Sequence, residues 1–366
     1  MKRYAFNEIT FMQFVFLNFG LQVSVGLLAL PKVLAERAGT DGWLAIVLGW
    51  AVSTAAGLVI VQVMKYHPDG TLLDLLSHYM GKWAGKAAAV VFAVNMFYYG
   101  YTGIVRTVLY IKLWLLPQTP LYITTLLLLI PTYAVARNGL RILGRYAELV
   151  VFISLWIPLI YLFPLKDAHW LHLLPVLKEG WMPVLSAVQP VFVCYTGIGA
   201  IFLFYPFLRH QRLASAGIVF SNTLTMVAFL FVTLVCFVYF SPDEITQYNE
   251  PVVNVLKTIE FKFIERVEVP FIAFFLLIFS LGWIPALYMG VFCTNWLFGQ
   301  ADHRNHLRIL WAVIAIGSFF FIPTFNETDG MEHSLAQVAI VCEGAFPVVL
   351  LVYIWICHSV RGRRSA

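Results

Sequence analysis

Runs of about 20 apolar residues alternate with short charged connections along the whole chain, the pattern of a polytopic helical membrane protein. They predict an all-α fold with about ten transmembrane helices, near 9–34, 42–64, 84–111, 120–136, 145–164, 181–208, 214–240, 270–298, 307–323 and 335–358. One connection is long. Between Ser241 and Val269, Val252, Leu256, Ile259 and Phe263 recur at spacings of four, three and four, which puts them on one apolar helical face. That segment reads either as a helix lying at the membrane interface or as a lid over an outer vestibule.

Two spans break the pattern. The first carries Gln22, Ser24, Gly26 and Pro31 where a lipid-facing helix should have neither polar groups nor freed backbone. The sixth carries Pro190, then Thr196-Gly197-Ile198-Gly199, then Tyr205-Pro206. Interrupted helices at corresponding places in two halves point to a binding site at the midplane of a five-plus-five inverted repeat. The expected organisation is one transporter-like domain, residues 1–366, with repeats of about 9–164 and 181–358.

Composition agrees with a membrane protein: 61% of residues are hydrophobic and only 12% charged, which leaves no room for a large soluble domain. The first span is too long for a signal-peptide core and has no suitable cleavage site, so it is expected to stay as a transmembrane helix. About 15 of the 24 Lys and Arg fall in the N-terminus, alternate loops and the C-terminal tail, against about eight in the opposite loops, so both termini are expected in the cytoplasm. The outer loops collect Asp243, Glu244, Glu250, Glu260, Glu265, Glu268, Glu327, Asp329 and Glu332. The net charge of +5 is dispersed rather than striped, which fits anionic lipid and not nucleic acid. Cys194, Cys236, Cys293, Cys342 and Cys357 lack metal-ligand spacing and are expected as free, buried thiols. No HExxH or GxxxxGK[ST] motif is present, and no enzymatic activity, cofactor or metal is expected.

A broken helix offers ligand chemistry. If the first span breaks at Ser24 to Gly26, the half-helix beginning near Leu27 presents free N–H groups and its positive end, and Gly26 has no side chain to block a carboxylate. The first half of the sixth span ends near Thr196 with free carbonyls suited to an ammonium, so the pair of breaks suits a zwitterion such as an α-amino acid. The alternative is that both are glycine kinks for helix packing. In the third span Asn95, Tyr98 and Thr102 share a face, and in the eighth Trp283, Pro285 and Tyr288 accompany a helix disturbance; each set is either pocket wall or packing. Of the few ionisable residues within spans, Glu343 is expected to form an outer gate with Lys32 or Arg106. The bland alternative is snorkelling bases and a protonated acid. Glu148 is expected to pair locally with Arg145.

The motifs Ile9-Thr10-Phe11-Met12-Gln13, Val23-Ser24-Val25-Gly26-Leu27-Leu28-Ala29-Leu30-Pro31, Ala38-Gly39-Thr40-Asp41-Gly42-Trp43 and Tyr205-Pro206-Phe207 resemble those of the B subunits of spore germinant receptors. These endospore amino-acid permease-like proteins belong to the amino acid–polyamine–organocation superfamily, and the resemblance covers essentially the whole chain. It implies a nutrient-sensing subunit in the inner membrane of a bacterial spore, acting with A and C subunits. The implied pocket comprises Gly26, the Tyr98/Thr102 face, Thr196, Gly197, Ile198, Gly199 and the residues from Trp283 to Tyr288. Many relatives carry a glutamate in the sixth-span break where this chain has Gly199, which favours a small neutral ligand. The competing reading is an amino acid permease coupled to H⁺ or Na⁺, against which stand the lack of a lysine in the fifth span and of a Ser/Thr pair in the eighth beyond Ser280. A membrane scaffold that binds no ligand is a third.

Overall fold

The computed structural model describes residues 7–23, 26–259, 266–299 and 302–364. Every predicted span contains helix, and among the described residues the sole extended pairing is an isolated bridge between Ile9 and Leu208. The helices are α1 (Phe11–Gln22), α2 (Gly26–Ala38), α3 (Gly42–Lys65), α4 (Leu72–Tyr79), α5 (Lys82–Tyr110), α6 (Leu121–Ala136), α7 (Leu140–Ile153) and α8 (Ile157–Ile160). They continue as α9 (Trp181–Cys194), α10 (Ile201–Phe204), α11 (Ala214–Tyr239), α12 (Pro251–Leu256), α13 (Glu268–Phe298), α14 (Arg304–Phe320), α15 (Phe325–Ala339) and α16 (Phe346–Arg364). By length and composition, six stretches of described helix could cross a membrane, and a bent pair makes a seventh. Val94, Phe152, Ile309, Phe320 and Trp355 are exposed on the outside, as lipid requires.

Both breaks fall where the sequence places them. The first span divides into α1 and α2, and the Ser24 of the expected site lies outside the described residues. In the sixth, α9 ends at Cys194, Gly197 turns at φ 112°, and the chain restarts as a half-helix over Ile198–Phe207 bent by 44°. The N-terminal motif has a structural reason. Thr10 caps α1, and the Gln13 side chain accepts the Thr10 N–H at 3.0 Å, closing a capping box. The Ile9 N–H donates to the Phe207 carbonyl at 2.9 Å, so the start of the first span is laced to the Tyr205-Pro206-Phe207 end of the sixth.

Spans five apart in chain order pack together: α3 on α11, α5 on α13, α6 on α14, and α2 on α9. Small residues permit the closest of these approaches. A Cβ on Gly100 would stand 2.5 Å from Leu287, and one on Gly103 would stand 2.8 Å from Trp283 Cβ, so α5 and α13 can run side by side only through glycine.

Three expectations shift. The tenth span begins at Phe325 rather than near 335, and a π-helical turn at Ile340–Ala345 joins α15 to α16. Asp329 and Glu332 therefore stand on a helix, not in a loop. Glu148 accepts from Gln13 Nε2 at 3.1 Å rather than pairing with Arg145, because the capped end of α1 lies against α7. The long outer connection does form a helix, α12, but it is shorter than the pattern implied. Val252, Leu256 and Ile259 are buried, α12 packs on α2, and Phe263 lies outside the described residues. A segment buried against protein in this way is closer to the lid reading than to an interfacial helix. The five cysteines are free, with Cys236 and Cys293 buried and the others partly exposed.

Candidate functional site

The two breaks meet. A Cβ on Gly26 would lie 3.2 Å from the Cys194 thiol, and one on Gly197 would lie 2.7 Å from Leu21 Cβ. The last turn of α1 thus sits against the turn of the sixth span, and the first turn of α2 against the end of α9. Beside this crossing is a cavity of about 140 Å3 whose walls include Gly26, Tyr99, Thr102, Thr196, Trp283 and Glu343.

Several expected site residues line it and several do not. Gly26, Thr102, Thr196, Gly197 and Trp283 are in the wall. Tyr98 is not: the face that α5 presents is Asn95, Met96, Tyr99, Thr102 and Gly103, so the aromatic residue that α5 contributes to the cavity is Tyr99. Its hydroxyl donates to the Leu21 carbonyl at 2.9 Å, satisfying an orphan acceptor at the end of α1. The one-residue difference rotates a side chain by about 100° on a helix, and spacing from Asn95 alone could not separate i+3 from i+4. Thr102 spends its hydroxyl on the Tyr98 carbonyl of its own helix, at 2.8 Å. Ile198 is fully buried in the core, away from the cavity. Tyr288 is also outside the cavity; its ring stands 5.5 Å from that of His303, near the start of α14.

Gly199 has a different role from the one expected. A Cβ there would stand 2.9 Å from Glu343 Oε1. The glutamate of the tenth span fills the space next to this glycine, and its two oxygens accept the Gly197 N–H at 3.1 and 3.0 Å. The amides of Ile198 and Gly199 also point to it. Glu343 therefore closes the amino end of the second half of the sixth span.

The expected gate pairs do not form. Lys32 Nζ donates to Asn249 Oδ1 at 2.9 Å and lies 3.9 Å from Glu36. The buried guanidinium of Arg106 binds Asp329 and, through Nε at 2.9 Å, Glu332. The acids at the cavity's edge come from α15, about three to four turns before Glu343, and the early start of that helix is what places them there. Glu332 lines the cavity directly. Truncating either partner of this pair should be costly and non-additive. Arg106→Gln should lower stability by about 1–2 kcal/mol, because both acids remain partly exposed, and Arg106→Gln with Glu332→Gln by less than the sum of the two. Chemical denaturation of the purified chain in detergent measures this, and strictly additive losses would show that the pair is not coupled.

Sequence reasoning missed Gln22 as part of a network. Its Nε2 donates to Asn222 Oδ1 at 2.8 Å, its Oε1 accepts from Thr225, and Asn222 Nδ2 reaches Thr54 Oγ1 at 3.2 Å. A buried amide beside a break needs such partners, and the polar run Ser221, Asn222, Thr223, Thr225 inside the seventh span was the available signal. Ser280 bonds Tyr146 at 2.6 Å and the Leu277 carbonyl.

The fold is that of known transporters. Over 94% of this chain and 87% of the other, it superposes on the crystal structure of MhsT in complex with L-phenylalanine, with a TM-score of 0.63 and 13% identity. Spore germination protein YndE of Bacillus subtilis (strain 168) is 23% identical over 94% of this chain and 96% of its own length. Spore germination protein GerQB of Bacillus cereus is 21% identical over 69% of this chain and 70% of its own. Such relatives and neighbours make this a multi-pass membrane protein of receptor-like or permease-like type. Residues 8–329, nearly the whole chain, match the profile described as spore germination protein, and the chain belongs to that family.

Proposed function

We propose that this chain is the nutrient-sensing subunit of a spore germination receptor and binds a small amino acid in the cavity between its two broken helices. The observation that carries the reading is the meeting of the breaks at that cavity: the amino end of α2 opens on it at Gly26, with the partly polar wall of Tyr99, Thr102 and Thr196 around it. The N-terminus of a 13-residue helix suits a carboxylate. Trp283 adds a buried indole N–H that has no partner among the described residues. A protein of the same fold is known with L-phenylalanine bound, which supports an amino acid as the ligand class.

The single transmembrane domain, with repeats over about 9–164 and 181–358, lies in the inner membrane of the spore with both termini cytoplasmic. It works with A and C subunits, and the nutrient biases an equilibrium between two packings of the broken helices. A coupled permease shares the cavity, but Ser280 is already engaged by Tyr146 and Leu277, which disfavours a sodium site there.

Spores lacking the chain should lose germination to at least one amino acid, and complementation should restore it. Loss of no response across amino acids and sugars would refute the sensor. Within the complemented strain, Tyr99→Phe removes the partly buried hydrogen bond to the Leu21 carbonyl. The half-maximal nutrient concentration should then move about five- to tenfold, the worth of about 1 kcal/mol. An unchanged dose-response would show that this bond does not bear on the break.

A further inference from the structure

Two charged side chains line the cavity, Glu332 and Glu343. They differ in one respect. Glu332 is ion-paired with Arg106, which it shares with Asp329. Glu343 is buried, and among the described residues no basic side chain forms an ion pair with it. Its partners are the backbone amides at the turn, Gly197 above all. Such amides and the positive end of a short half-helix amount to about half a charge, so a buried carboxylate there remains partly uncompensated. A carboxylate also has about four acceptor positions, and three amides leave room for another donor.

The backbone has made way for this group. Gly199 is the position where any side chain would collide with Oε1, and a π-helical turn at Ile340–Ala345 carries Glu343 inward at that level. A neutral acceptor could cap the turn equally well, so capping alone gives no reason for a charge.

We infer that the Glu343 carboxylate receives the ammonium group of a small amine-bearing ligand, whose carboxylate lies toward the amino end of α2 at Gly26. This deepens the proposed amino acid site and rests on it. The cavity is then polarised from end to end, with N–H donors at the first break and an anionic acceptor at the second. The free-carbonyl end near Thr196 becomes a secondary contact for the ammonium, and the neutral-ligand preference drawn from Gly199 alone no longer applies, because the negative charge arrives from another helix.

The test uses the full chain in lipid nanodiscs with matched probes. For alanine, valine, leucine and phenylalanine, the L-amino acid is compared with the carboxylic acid lacking its amine, and D-glucose and D-fructose serve as amine-free nutrients. At least one amino acid should bind at least thirtyfold more tightly than its des-amino acid. Glu343→Gln should weaken that amino acid at least tenfold and leave the des-amino acid within threefold. Hydrogen exchange of the segment around Gly197 should stay slow in the variant, because a glutamine oxygen still accepts the Gly197 N–H. Equal binding of an amino acid and its acid would overturn the inference, and so would equal weakening of both by Glu343→Gln, which marks a cap only. Binding of sugars without any amino acid overturns the ammonium site while sparing the sensor. No binding by any probe defeats both.

Discussion

Spores whose sole copy of this chain carries Gly26→Leu should fail to answer amino acid at any concentration that triggers the parent, with the protein still present in the membrane at normal abundance. The first atom added meets the Cys194 thiol at 3.2 Å, a contact a side chain can yield to by a few tenths of an ångström. The rest of the leucine side chain has to enter the cavity of about 140 Å3 at the amino end of α2, where the ligand's carboxylate is placed. Because the obstruction is to the ligand and not to a helix backbone, folding should survive. Response loss of at least a hundredfold with unchanged abundance is the expected result. A parental dose-response in a well-expressed variant would remove Gly26 from the site.

The largest effect on stability should come from Gly197→Ala. Gly197 holds φ 112°, a conformation that L residues rarely adopt, and its missing Cβ faces Leu21 Cβ at 2.7 Å across the junction of the two breaks. Backbone strain and overpacking of a rigid contact each cost about 1–3 kcal/mol, so the variant should lose about 3 kcal/mol or more. Thermal unfolding in detergent and abundance in the membrane both read this. Gly330→Ala is the control, since no atom of the described residues lies within 4 Å of the added atom and alanine suits the exposed helix better. If Gly197→Ala is as harmless as Gly330→Ala, the junction is softer than the geometry requires.

The architecture was legible because lipid imposes it: backbone groups must be satisfied within helices, so apolar runs locate spans, and Gly, Pro and polar residues inside them locate breaks. Gln22 to Gly26 and Thr196 to Gly199 marked both interruptions to within a few residues. The side-chain partnerships were less legible. Glu343 stands out in the sequence as an ionisable residue inside a span, but its partner is the backbone at Gly197, and a backbone amide carries no residue-type signal. Tyr99 was hidden behind Tyr98 because both fit a helical spacing from Asn95. Asp329 and Glu332 read as outer loop since their helix, Phe325–Ala339, is polar enough to escape an apolar pattern, although it carries the acids that hold Arg106.

Equilibrium binding of the triggering amino acid to the purified chain in nanodiscs, with wild type and Gly26→Leu side by side, tests the central claim most directly. The account predicts one saturable site per chain in the wild type and none in the variant at concentrations a hundredfold higher. Saturable binding of equal strength to both would contradict it, because the nutrient would then sit somewhere other than the cavity between the broken helices.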